Sequence, residues 1–153
     1  MIIAVGADHA GYTAKQELVR YLRDNGHLVT DVGTSSRDPV DYPVIVQATC
    51  QEVRAGQARL AIAICSTGTG CVIAANKISG IRAAAAYEPF TARAAVEHNN
   101  ANVLCLGAGL TGPRLMEQIA GAFIGAAFQD KPSHRRRVAI IDQMDRSREV
   151  PES

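Results

Sequence analysis

Five short apolar segments, at 2–5, 28–31, 60–64, 82–86 and 103–106, punctuate the chain, and stretches of helical periodicity separate them. Strands that alternate with helices predict an α/β sheet. In the first interval Ala14, Leu18, Tyr21 and Leu22 fall at i, i+4, i+7 and i+8, which gives one buried helix face that stops near Asn25 and Gly26. Leu115, Ile119, Ala122, Phe123 and Ala126 repeat the pattern after Thr111, Gly112 and Pro113. Further helices are expected over 44–53, entered through Asp41, Tyr42 and Pro43, and over 89–97. Each helix can return the chain for a right-handed parallel crossover. From Lys131 onward the sequence turns basic: Arg135, Arg136 and Arg137 precede a short amphipathic run, and clustered arginines also suit a solvated helix face. Residues 1–145 are expected to form a single domain and 146–153 a flexible tail.

A chain of 153 residues is long enough to bury a full core without disulfides or metal. A net charge of +1 gives no bulk electrostatic reason to expect nucleic acid or an anionic membrane as partner, and the absence of tryptophan argues against a base-stacking surface. The opening MIIAVGADHAG has no basic leader and reaches Asp8 early, unlike a secretory signal. No apolar stretch approaches the roughly 18 residues of a membrane span. The expected location is the cytoplasm. Cys50, Cys65, Cys71 and Cys105 form no CxxC pair and no metal-ligand spacing, so free thiols are expected.

Residues 60–77, LAIAICSTGTGCVIAANK, carry the strongest chemical signal. Their apolar run lacks polar alternation, as in a strand covered on both faces, and ends at Cys65. Ser66, Thr67, Gly68, Thr69 and Gly70 then form a small-residue turn into a short helix at 72–77. The carboxyl end of a buried parallel strand is where open sheets bind ligands. Glycines there admit a close approach to the backbone, and amide groups can hold an anion. Taken alone, Cys65 equally fits a buried structural cysteine. Cys50, Cys71 and Cys105 are assigned to packing.

Asp8, His9, Ala10 and Gly11 follow the first strand directly and should share the carboxyl edge with Cys65, although an aspartate there also suits a helix N-cap. Ahead of the last strand, Glu97, His98, Asn99, Asn100 and Asn102 fit either a capped turn or a proton-exchanging site. The segment 41–43, DYP, is on its own only a turn. A dinucleotide-binding loop is disfavoured, because GADHAG at 6–11 lacks the middle glycine and places an acid where pyrophosphate would sit. A thiol hydrolase would need a histidine paired with Cys65.

Seven motifs in order, DHAGY at 8–12, DYP at 41–43, ICSTGTG at 64–70, IAANK at 73–77, GIRAA at 80–84, HNNANVL at 98–104 and HRRRV at 134–138, resemble the ribose-5-phosphate isomerase type B family. That family includes the galactose-6-phosphate isomerase subunits, and the similarity runs from Ile2 to about Ile141. The resemblance implies a Rossmann-like three-layer α/β/α sandwich with a five-stranded parallel sheet. It implies an aldose-ketose isomerase without metal or other cofactor, acting as a homodimer or dimer of dimers on a small sugar or sugar phosphate. By this resemblance Cys65 matches the catalytic base, and Thr67 and His98 match groups that open the sugar ring. Asp8, Tyr42 and Asn99 match substrate-binding positions, and His9 and Arg137 match phosphate contacts. Ser66, Gly68, Thr69 and Gly70 fall in the substrate-binding loop, with the amides from Gly68 to Cys71 expected to stabilise an enediolate oxygen. His98, Asn99 and some of the arginines would come from the partner chain.

Two positions depart from the family pattern. Gly109 and Ser133 stand where arginines associated with the substrate's phosphate are usual, and Ser66 stands where many relatives have glycine. Arginine forks bind phosphate bidentately, so their loss should weaken that grip unless Arg114, Lys131, Arg135 or Arg136 compensates. The other expectation is a pocket remodelled for another sugar, phosphorylated or not. A noncatalytic sugar-binding protein on the same sheet is the competing class.

Overall fold

In the computed structural model, which describes residues 1–147, all five apolar segments are strands of one parallel sheet. The strands are β1 (Ile2–Ala7), β2 (Leu28–Gly33), β3 (Leu60–Cys65), β4 (Ala83–Ala85) and β5 (Val103–Gly107). The helices are α1 (Tyr12–Asp24), α2 (Tyr42–Arg54), α3 (Thr69–Ala75), α4 (Pro89–Asn99), α5 (Pro113–Gly125) and α6 (Pro132–Arg146). Spatial order is β2-β1-β3-β5-β4, which puts the most apolar strands, β3 and β5, inside and the short or mixed ones at the edges.

Side chains alternate across the sheet with the period of two that strands impose. Ile62, Ile64, Leu104 and Leu106 face a core shared with α1, α4 and α5, where Leu18, Leu22, Ile119 and Phe123 are fully buried. Burying each such side chain stabilises the fold by about 1.5–3 kcal/mol. Ala61, Ala63, Cys65, Val103 and Cys105 face the opposite layer with α2 and α3. The result is three layers, with the Cys65 side chain directed toward the α2 and α3 side.

The chain leaves β1 toward β2 and leaves β3 in the other direction, so the connection reverses between these two neighbours. Such a switch point opens a crevice above the carboxyl ends of the two strands. Lys15, 2% exposed, is paired with Asp31 of β2 and donates to the Thr34 carbonyl at 2.9 Å. A buried ammonium is tolerated only when so partnered.

Several boundaries differ from the sequence expectation. The short helix begins at Thr69 rather than 72, because Gly68 at φ 81° turns the chain straight into it. β4 is trimmed to 83–85, and α4 runs on to Asn99 before Asn100, at φ 51°, ends it in the left-handed geometry asparagine tolerates. The basic segment is a 15-residue helix that includes Arg146, so the expected tail would begin inside α6; its last part, 148–153, lies outside the described residues. Asp8 does not cap α1, whose N-cap is Gly11; its carboxylate accepts the Gly11 N–H at 3.0 Å and closes the turn before the helix.

Candidate active site

Cys65 ends β3 beside Gly107 of β5, and the turn that follows is fastened to β5 by its backbone. The Ala108 and Gly109 N–H groups donate to the carbonyls of Cys65 and Ser66, both at 2.8 Å, and the Tyr87 hydroxyl donates to the Thr67 carbonyl at 3.0 Å. Gly107 lets this turn come close, since a β-carbon there would lie 2.7 Å from the Thr67 carbonyl group. The Gly68 N–H is thereby aimed back at the Cys65 sulfur, 3.2 Å away. Gly68→Ala is expected to cost about 1–2 kcal/mol, the usual penalty of a left-handed conformation for an L-residue. Chemical denaturation would measure it.

Cys65 is 5% exposed, and its thiol is lowered to about 6. The largest cause is a hydrogen bond from the Cys71 thiol; the backbone N–H groups of Cys71, Gly68 and Thr67 add to it, and burial opposes it. Cys71 is driven in the other direction, far above the ordinary thiol range, because it is the donor in that bond and because it is buried. Burial pushes Cys50 up to about 11 and raises Cys105 as well. Of the four free thiols, Cys65 is therefore the one ionised near neutral pH. Cys71 packs in the core as expected and also donates to Cys65: the turn at Gly68 brings the first turn of α3 back over the end of β3, which no spacing rule for cysteines would reveal. The amides expected to serve a substrate oxygen are partly committed to sulfur instead, and the Thr69 N–H goes to Thr67 Oγ1 at 3.4 Å.

A rate that depends on this thiolate falls as pH drops through about 6. In Cys71→Ala, which removes the largest cause of the shift, the acid limb of kcat/KM should move to higher pH. An acid limb that stayed in place would separate Cys71 from the ionisation of Cys65. The profile of kcat/KM is the appropriate readout because it reports the free enzyme.

Asp8 and His9 follow β1, and Ser66, Thr67, Thr69 and Gly70 follow β3, at the same carboxyl edge of the sheet, with Tyr42 at the start of α2. Asp8 is 6% exposed, and its N–H donates to the Ile64 carbonyl at 3.2 Å. His9 Nδ1 accepts the Val40 N–H at 3.2 Å, so a neutral ring carries its proton on Nε2. The Tyr42 ring lies against Gly70, where an added β-carbon would be 2.7 Å from Cζ. Beside Ser66, a cavity of about 510 Å³ opens between α1 and the loop after β5, lined by Thr13, Glu17, Gly109 and Thr111 among others. A β-carbon on Gly109 would stand 3.0 Å from the Ser66 carbonyl oxygen.

The remaining expected site residues are elsewhere in the same chain. His98 and Asn99 end α4 just before β5 begins, whereas Cys65 pairs with the last residue of β5, about 13 Å further along the strand direction. The His98 ring sits 4.9 Å from that of His134 at the start of α6, where Lys131, Arg135, Arg136 and Arg137 are all exposed. Arg135 pairs with Asp130 at 2.9 Å. Arg82 holds Asp142 at 3.0 Å and the Gly80 N–H donates to Asp145 at 2.6 Å, which latches α6 to this amino edge of the sheet. Asn99 lines a separate cavity of about 310 Å³ there, away from the thiol. Among the described residues no group of three His, Cys, Asp or Glu side chains is arranged to hold a metal, and no helix is long and apolar enough to cross a membrane.

The fold defines a parallel α/β protein in which a thiol, lowered by its hydrogen-bond donors, ends the strand beside the switch point. The family model for ribose/galactose isomerases matches residues 3–141, and the chain belongs to that family. It is an isomerase enzyme. Ribose-5-phosphate isomerase B of Escherichia coli is 38% identical over 146 residues, covering 95% of this chain and 97% of the relative. The galactose-6-phosphate isomerase subunit LacB of Clostridium acetobutylicum is 36% identical, covering 94% and 83% respectively. Among solved structures, ribose-5-phosphate isomerase B of Clostridium thermocellum superposes with a TM-score of 0.94 at 38% identity, over 97% of this chain and 99% of that one.

Proposed function

We propose that the protein interconverts D-ribose 5-phosphate and D-ribulose 5-phosphate. The observation that carries this reading is the buried Cys65 thiol, lowered to about 6 by its donors at the sheet's switch point. Its thiolate takes the proton from the carbon beside the sugar carbonyl, leaving an enediolate, and returns it to the neighbouring carbon. Thr67 and His98 move protons during the ring opening that precedes this step. Asp8, Tyr42 and Asn99 orient the sugar, His9 donates from Nε2 to the phosphate, and Arg137 contacts it. Because His98, Asn99 and Arg137 lie at the far edge of their own chain, the site is completed by a second copy whose amino edge covers the crevice. The enzyme is then a dimer, or a dimer of dimers, with shared sites.

The test is proton NMR in D2O, following deuterium entry beside the carbonyl with ribose 5-phosphate, free ribose, allose and a six-carbon sugar phosphate. Exchange with ribose 5-phosphate, lost in Cys65→Ala, supports the reading; exchange confined to another sugar replaces the substrate and keeps the chemistry. That second reading is favoured by one observation: the cavity beside Ser66 and Gly109 is lined by no basic side chain and by one carboxylate, Glu17.

A further inference from the structure

The cavity beside Ser66 lacks a basic wall, yet a guanidinium reaches its rim from outside the expected site. Arg37, in the loop between β2 and α2, donates from Nη2 to Thr13 Oγ1 at 2.8 Å, and Thr13 lines the cavity. The side chain is exposed and has no carboxylate partner within ion-pair distance among the described residues. Thr13 occupies one of its five N–H donors, which leaves donors for an incoming anion. The competing cations are committed or elsewhere: Lys15 is buried on Asp31, Arg93 is paired with Glu97 at 3.9 Å, and Arg114 does not line the cavity.

The loop that carries Arg37 is fixed at both ends and within. Lys15 donates to the Thr34 carbonyl, the Ser36 N–H donates to Thr34 Oγ1 at 3.2 Å, and the Ser36 hydroxyl donates to Asp38 at 2.9 Å. At its far end the Val40 N–H donates to His9 Nδ1. The same loop therefore sets the tautomer of His9 and the position of Arg37. Thr13, which holds Arg37, lines the cavity, and so does Ala10, the residue that follows His9 in the chain.

We propose that Arg37 is a phosphate-binding residue of this enzyme, gripping the substrate's phosphate at the cavity mouth beside Thr13 and His9, in a chain whose position 109 is glycine. The inference rests on the sugar-phosphate reading above and deepens it: the substrate is a phosphate ester whose anionic end is met by the β2–α2 loop of the same chain that supplies the thiol. Planar guanidinium suits this task through paired N–H bonds, which an ammonium provides less well.

Steady-state kinetics with ribose 5-phosphate, together with calorimetric titration of inorganic phosphate, test the assignment in wild type, Arg37→Ala and Arg37→Lys. Arg37→Ala should raise KM by about tenfold or more, with kcat within about twofold, and should weaken phosphate binding by a similar factor; Arg37→Lys should fall between. A phosphate affinity changed less than about twofold, or a fall in kcat with KM unmoved, overturns the proposal. If the wild-type enzyme fails to turn over ribose 5-phosphate, the substrate reading falls on that result, and the phosphate titrations alone decide Arg37.

Discussion

Cys65→Ala is expected to lower kcat for the isomerisation by roughly 10²- to 10⁴-fold while leaving KM close to that of wild type, the range a positioned general base contributes. The substitution should fold, because Ala61 and Ala63 already occupy the same face of β3 and the lost sulfur leaves only a small void. Cys65→Ser should do little better: a hydroxyl at the same point accepts the same Gly68 N–H but does not ionise near neutral pH. Retention of more than about a tenth of wild-type turnover in Cys65→Ala would remove this thiol from the proton transfer, a step for which general-base catalysis is worth far more than tenfold. Loss of exchange at the sugar carbon in D2O, in parallel with loss of ketose formation, would place the defect at or before proton abstraction; supplying the substrate as the ketose, which needs no pyranose or furanose aldose ring to open, would separate the two steps.

The second large effect concerns assembly. Cys65→Ala and His98→Ala chains, each nearly inactive alone, should recover about a quarter of wild-type activity after equimolar mixing and exchange, since half of the dimers are then mixed and one of their two sites is intact. The figure follows from the placement of His98 beyond the amino end of β5, at the edge of the sheet opposite Cys65. If mass measurement showed mixed dimers and activity stayed at the level of the single variants, each site would have to be built from one chain. The exposed arginines of α6 would then need another role.

The five strands and the long helices were legible in the chain because burial on both faces leaves uninterrupted apolar runs, and burial on one face leaves a period near 3.6. Strand order was not, since parallel neighbours are chosen by crossover geometry and not by any residue in the strands themselves. Cys65 and its glycines stood out for the same reason that the fold did: a buried run that ends abruptly in small residues marks a strand's carboxyl end. Cys71 packs in the core as expected, but its bond to Cys65 was not legible, because it depends on the sharp turn at Gly68, three-dimensional information that a spacing of six residues does not carry. Arg37 gave no signal at all. A loop arginine has no periodicity, and only the contact with Thr13 shows where it points. The basic run at Arg135, Arg136 and Arg137 was visible as composition, but its distance from the thiol within one chain became apparent only with α6 latched to the amino edge through Arg82 with Asp142 and Gly80 with Asp145.

The thiol's place on the central strand also governs how the enzyme fails. β3 is flanked by β1 and β5 and has every residue buried, whereas β2 and the three-residue β4 form the rims. Fraying begins at rims and termini, where few buried contacts must be broken, and reaches a doubly flanked strand only with global unfolding. Heat or denaturant would therefore loosen the edge that carries His98 and the α6 arginines while the sulfur still kept its donors. On the shared-site proposal, inactivation would precede unfolding, because the covering edge would lose its fit while Cys65 is still held in the central strand.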